Sequence, residues 1–170
     1  MISKGTKYVI VLFIVIGIFS ILISLYIFFN TQKEIRWFED EFAIKLPQKA
    51  EVIFSEDTHG AMGDGVSLYI YQISSYDMPE FLNQSNISNW HYLPLNSELL
   101  LGLQGMIKGV SSEKITSSMN LSAQKGYFYI KNRYNKPLKF YNFQDPSFKN
   151  IVIGIIDLDK NKIYYFTLDI

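Results

Sequence analysis

From Tyr8 to Phe29 the chain reads YVIVLFIVIGIFSILISLYIFF, 22 residues without a charge. A helix rises about 1.5 Å per residue, so this run reaches roughly 33 Å and can cross a hydrocarbon core of about 30 Å. Inside it, the hydroxyls of Ser20 and Ser24 can donate back to the helix's own carbonyls. Tyr8 and Tyr26 lie near its ends, where amphipathic rings prefer the membrane interface. A cleaved signal peptide has an apolar stretch of roughly 7–15 residues and a small-x-small site after it. This run is longer and no such site follows. The expectation is an uncleaved, single-pass transmembrane helix over 8–29, in contact with membrane lipid, behind a short basic tail over 1–7.

Orientation follows less directly. Lys4 and Lys7 precede the run, and Lys33, Arg36 and Lys45 follow it. Counting Lys and Arg alone does not place the N-terminus inside. Glu34, Glu39, Asp40 and Glu41 dilute the second flank, and long domains translocate largely regardless of charge. The preferred reading puts the N-terminus in the cytoplasm and the domain outside the cell membrane.

The chain has 170 residues with 16 basic and 16 acidic side chains. A nucleic-acid binder would normally carry a basic excess, so no nucleic-acid partner is expected. There are no cysteines, which excludes disulfides, thiolate metal sites, a Cys nucleophile and a Cys-linked lipid anchor. Residues 31–124 hold 6 basic and 12 acidic groups, and residues 125–170 hold 8 basic and 4 acidic. Folding can bring these unlike halves together. Otherwise they are ordinary solvated faces.

Residues 33–44 place Ile35, Phe38 and Phe42 on one helical face. The segment 30–46 therefore reads as a juxtamembrane amphipathic helix. It can continue the anchor, lie on the membrane or pack on the domain, with Pro47 ending it. Residues 47–170 form the domain. Strands are predicted at 50–55, 66–73, 126–132, 150–157 and 162–169, with a polar turn over 158–161 joining the last two as a hairpin. Asp77 can cap a short helix with Pro79 in its first turn. A second helix is predicted over 97–108, with Leu99, Leu100, Leu103 and Ile107 on one face and Gly102 and Gly105 weakening it or permitting close packing. Residues 110–124 read as a loop or a marginal helix. The fold class is α+β: an N-terminal transmembrane helix, then one small domain with a mostly antiparallel sheet and two or three helices.

Four segments in this order resemble a group of small uncharacterised proteins of Gram-positive bacteria. They are Asp57-Thr58-His59-Gly60 with Gly63-Asp64-Gly65, Trp90 with Leu93-Pro94-Leu95, Gly126-Tyr127-Phe128-Tyr129 with Arg133, and Ile155-Ile156-Asp157 through Ile163-Tyr164-Tyr165 to Asp169. The resemblance covers about residues 38–170. It implies a membrane or lipid anchor, an exterior location and a single domain, and it carries no activity. In that family the Gly-rich turn often holds a second histidine, where this chain has Met62 in a turn one residue shorter. That departure weakens any two-histidine metal site.

The chemistry-bearing residues are few. His59 lies among Glu56, Asp57 and Asp64, a set that suits a divalent ion or an Asp–His pair for general-base work. The same residues suit a hairpin turn, in which Asp and Thr side chains hold the backbone and the glycines take positive φ. His91, between Trp90 and Tyr92, reads as a partly buried structural histidine. Asp57, His59, Asp64, Trp90 and His91 are the candidate contacts for a ligand or partner. No catalytic residue is assigned, no cofactor is expected and the metal is unknown. Asp157 and Asp159 fall at a turn, where aspartate is common. Tyr69, Tyr71, Tyr127, Tyr129, Tyr164 and Tyr165 suggest a Tyr-rich contact surface, or simply the strand preference of tyrosine.

The leading function is a membrane-anchored extracytoplasmic binding domain without enzymatic activity, with a possible protein partner. One version is an immunity protein against a secreted toxin. The alternatives are a small metal-dependent hydrolase built on the His59 loop and a cytosol-facing accessory of a membrane complex.

Overall fold

A computed structural model describes the backbone of residues 4–133 and 149–170, and the side chains of 13–26, 33–133 and 149–170. The chain divides into two units, residues 1–37 and 38–170. The compact second unit therefore begins inside the segment read as juxtamembrane.

Helix α1 runs Lys4–Phe42 without a break, and its residues up to Trp37 form the first unit. Every side chain from Phe13 to Tyr26 is exposed. Ser20 Oγ donates to the Ile16 carbonyl and Ser24 Oγ to the Ser20 carbonyl, each at 2.9 Å, so both hydroxyls are satisfied within the helix as expected. The Lys33 ammonium lies 4.6 Å from the Trp37 ring centre, a cation–π contact. Among the described residues, no helix is long and apolar enough to cross a membrane. The side chains of 8–12 and 27–29, and residues 1–3 of the basic tail, lie outside the described residues.

The second unit is α+β, built among the described residues on six antiparallel strands. They are β1 Glu51–Asp57, β2 Gly65–Gln72, β3 His91–Tyr92, β4 Gly126–Asn132, β5 Asn150–Asp157 and β6 Lys162–Asp169, in the order β1-β2-β6-β5-β4-β3. The last three match the sequence reading, because each is an apolar run closed by Gly, Asn or Asp. The β5–β6 turn holds as a hairpin. Asn161 takes φ +53°, and the Asp157 carboxylate accepts the backbone N–H of Asp159 and Lys160, both at 3.1 Å.

Strands β2, β5 and β6 are buried along both faces, which explains their nearly continuous hydrophobicity. One face carries Leu68, Ile153 and Phe166 against α3 (Ser97–Val110) and α4 (Glu113–Ser118), through Leu99, Leu103, Ile107 and Ile115. The other carries Tyr69, Tyr71 and Tyr165, with Phe38 and Phe42 from the end of α1 edge-on to Tyr71 and Tyr165. Burial removes four of the six tyrosines from the expected contact surface, and leaves Tyr127 and Tyr129 half-buried. Tyr69, Tyr71, Tyr164 and Tyr165 are all within 3% of complete burial, because each face of the central strands already has a helical cover.

Three further expectations are corrected. Helix α1 stops at Phe42, not Pro47. Ala43 adopts a left-handed φ of +51°, which breaks the i→i−4 pattern, and Asn86 Nδ2 donates to the Ala43 carbonyl at 2.7 Å. Asp77 occupies the position before α2 (Met78–Leu82), with Pro79 in the first turn, but its side chain makes no cap bond and accepts the Ser74 hydroxyl instead. A Cβ at Gly105 would meet nothing within 4 Å, so this glycine serves no close packing. Within residues 110–124, read as a loop or a marginal helix, only Glu113–Ser118 is helical (α4), its first turn capped by Ser112 Oγ accepting the Ile115 N–H at 3.1 Å. Among the described residues, the domain thus has three α-helices of its own, and a 3-10 turn at Ser85–Asn89 that the sequence reading did not foresee.

Candidate functional site

The β1–β2 connection begins with side chains that imitate backbone. Thr58 Oγ1 accepts the Val66 N–H and donates to the Val66 carbonyl, both at 3.0 Å, extending the ladder by one residue. Asp57 Oδ1 accepts the His59 N–H at 2.9 Å, an Asx turn. The same oxygen lies 2.5 Å from His59 Nδ1. Tyr69 OH donates to Asp57 Oδ2 at 3.2 Å.

The sheet register supplies the other side of the site. Asp169 of β6 stands opposite Gly65 of β2 on one side and Asn150 of β5 on the other. The Arg133 N–H donates to the Asn150 carbonyl at 2.8 Å. Arg133, Asn150, Asp169 and Gly65 therefore form one row across four strands. Gly65 is required in that row, because a Cβ there would meet His59 Cα at 2.5 Å and His59 N at 2.7 Å. With that space free, His59 crosses above Gly65 and its Nε2 reaches Asp169 Oδ2 at 3.1 Å.

Asp169 Oδ2 also accepts from Arg133 at 2.6 Å. Arg133 continues to Glu41 Oε2 through Nε at 3.3 Å and a terminal nitrogen at 3.1 Å. Lys131 Nζ bonds Glu41 Oε1 at 2.8 Å and the Glu41 carbonyl at 2.7 Å, closing an orphan carbonyl of the last helical turn. The result is a chain of charge, Asp57–His59–Asp169–Arg133–Glu41–Lys131, tying β1, β6, β4 and the end of α1. Here the acidic and basic halves of the chain do meet, at Glu41.

The electrostatics follow from that chain. Burial pushes the Asp57 carboxyl up, but the His59 N–H, imidazole and charge, with the Tyr69 hydroxyl, outweigh it and hold the group below its usual range. Burial opposes the Arg133 charge, and Glu41 and Asp169 more than compensate. Burial, reinforced by Glu41, raises Tyr165 above an ordinary phenol.

Both ring nitrogens of His59 face carboxylate oxygens, which the ring meets as a double donor when protonated. A general base needs a ring nitrogen directed at the substrate's proton, and here both are engaged. Among the described residues, no group of three or more His, Asp or Glu is arranged to hold a metal ion. Of the carboxylates read around His59, Asp57 is bonded by His59 and Tyr69, and Glu56 by Ser112 and Lys114. The chemistry of this arrangement is that of a clasp.

The remaining candidates lie elsewhere. Asp64 is exposed in the turn, and its carbonyl accepts the Gly60 N–H at 3.1 Å. Gly63 supplies the positive φ of +86° that this turn requires. Trp90 is buried, with its ring centre 5.0 Å from Phe42 and 5.7 Å from Tyr129. His91 is exposed rather than partly buried, because two-residue β3 is an edge strand and leaves the ring beside Phe128 at 5.3 Å. Strands β2, β6, β5 and β4 separate it from the His59 end of β1, so the two histidines do not meet. Asp157 is buried and serves its turn, and it also accepts from Asn120 Nδ2 at 2.7 Å. Sequence reasoning missed Asp169, Arg133, Glu41 and Lys131. Their advance signals were the charge asymmetry of the two halves and, for Arg133 and Asp169, their place in the segments that carry the resemblance. Comparison with protein-family models, with curated proteins and with solved structures finds no match to this chain.

Proposed function

We propose that the protein is a single-pass membrane-anchored binding domain, with its N-terminus in the cytoplasm and residues 38–170 outside. The observation that carries the reading is the state of residues 13–26. Their large apolar side chains are 45–69% exposed, all round the helix rather than along one stripe. Water-soluble proteins rarely leave so large a contiguous apolar area uncovered, and a helix apolar on every side matches lipid better than a protein groove. The 22-residue uncharged run supplies the length. The binding role is supported by the His59 clasp, which leaves no ring nitrogen free for catalysis.

Two measurements on the tagged full chain in its own cells test this. Alkaline carbonate extraction of membranes should leave the protein in the pellet, and protease added to intact protoplasts should digest the domain. Release by carbonate would overturn the anchor, and a protected domain would overturn the orientation. A pull-down from the same membranes should then recover one stoichiometric partner. A co-purifying secreted toxin would specify the immunity version of the reading.

A further inference from the structure

A cleft of about 550 Å³ lies between the segment that follows α1 and helix α2, a volume within the usual range for small-molecule sites. Its floor is apolar, with Leu46 7% and Phe81 1% exposed. Lys45 and Lys49 line it from the first segment, and Asp77 and Glu80 from the second. Among the described residues, none of these four charges is in a salt bridge. The two segments are riveted together. Gln84 Oε1 accepts the Lys45 N–H and its Nε2 donates to the Lys45 carbonyl, each at 2.8 Å. Asp77, placed before α2, makes no side-chain cap bond, accepts the Ser74 hydroxyl at 2.8 Å and lines the cleft.

We propose that this cleft binds a compact phosphorylated amine, with its phosphate at Lys45 and Lys49 and its ammonium at Asp77 and Glu80. A phosphomonoester carries about −1.5 to −2 at neutral pH, which matches two lysine ammoniums, and lysine binds phosphate as a point charge. A simple anion would face the two carboxylates, and a simple cation the two lysines. A neutral apolar ligand would cover four charges without compensating them. A zwitterion meets both pairs, and a short carbon linker suits the floor. The same chemistry occurs in a free phosphorylated amine and in an ethanolamine lipid headgroup. The proposal does not rest on the anchor.

The test is calorimetric titration of the full chain, in a maltoside detergent, with O-phosphoethanolamine. Saturable 1:1 binding is expected, weakened about tenfold or more in both Lys49→Gln and Glu80→Gln. These side chains are exposed, so both variants should melt with the parent by circular dichroism. Should one fail to, Lys45→Gln and Asp77→Asn repeat the comparison. Inorganic phosphate and ethanolamine, each alone, should bind more weakly than the joined molecule. Dihexanoyl phosphatidylethanolamine identifies the source: tighter binding than the free amine assigns the lipid headgroup, and weaker binding assigns the free molecule. No saturable heat with either compound, or binding indifferent to both charge variants, overturns the proposal.

Discussion

Gly65 and Gly154 show how much of this protein depends on an absent methyl group. At Gly154, in the middle of β5, a Cβ would press into the Trp90 ring and lie 2.8 Å from Phe42 Cζ. Both rings are buried and cannot swing aside. Gly154→Ala should destabilise the domain by about 1–3 kcal/mol through overpacking, read as a fall in the urea midpoint at unchanged slope. At Gly65 the obstacle is backbone. Gly65→Ala should displace His59 from Asp169, so it should abolish the coupling that a His59→Gln/Asp169→Asn double-mutant cycle measures in the parent. Neighbouring groups of this kind couple by about 0.5–3 kcal/mol. A coupling that survives intact in Gly65→Ala would show that the clasp does not depend on that space.

Titration also belongs to single residues. Burial first, and the nearby Asp157 charge second, raise the Tyr164 phenol to about 12. An unfolded tyrosine titrates near 10, so this group's stabilisation is complete below about pH 10 and is lost as pH rises toward 12. Absorbance at the phenolate band should show Tyr164 ionising late, and Tyr164→Phe should remove its share of the alkaline loss. Asp57 works in the opposite direction. Its pKa is lowered, so its contribution is present above about pH 3.9 and disappears as pH falls below that value.

At the scale of elements, α3 is the clearest case of a helix specified locally and placed by packing. Asn96 Oδ1 accepts the Leu99 N–H at 2.8 Å, and Lys108 sits in the last turn, where it suits the helix dipole. Asn96→Ala should cost about 1 kcal/mol. Leu103 is fully buried while Leu101, two residues earlier, is 69% exposed. Leu103→Ala should cost about 2–5 kcal/mol by opening a cavity, whereas Leu101→Gln should lie within about 0.5 kcal/mol of the parent. Equal effects in a thermal or urea melt would contradict this burial pattern. The spacing of Leu99, Leu100, Leu103 and Ile107 announced both the helix and its inward face, and the structure adds Met106 to that face.

For the whole molecule, the decisive boundary is Trp37–Phe38. Phe38 and Ile44 are completely buried in the second unit, and Phe42 and Leu46 nearly so. A chain truncated to begin at Phe38 should fold with a cooperative melt. One truncated to begin at Pro47 loses all four side chains and should not. Expressing the two truncated chains in parallel and comparing their near-ultraviolet circular dichroism separates these outcomes. If the shorter chain folds equally well, residues 38–46 are dispensable to the core.

Whatever depends on neighbours along the chain was settled before any tertiary contact formed. The strands β4, β5 and β6, the hairpin turn at 158–161, the helix α3 and the glycine turn after Asp57 all arise from local propensity and periodicity, and all were legible. The polar network waited for the order of the sheet. His59 and Asp169 are separated by 110 positions, and they meet because β2 pairs with β6 in a register that sets Asp169 opposite Gly65. Arg133 joins them because β4 and β6 both flank β5. His91 is kept away by the same order. Periodicity reports which way a side chain faces, but not which strand lies beside it. The partner of a polar residue is therefore a property of the pairing, and the sequence holds it only implicitly.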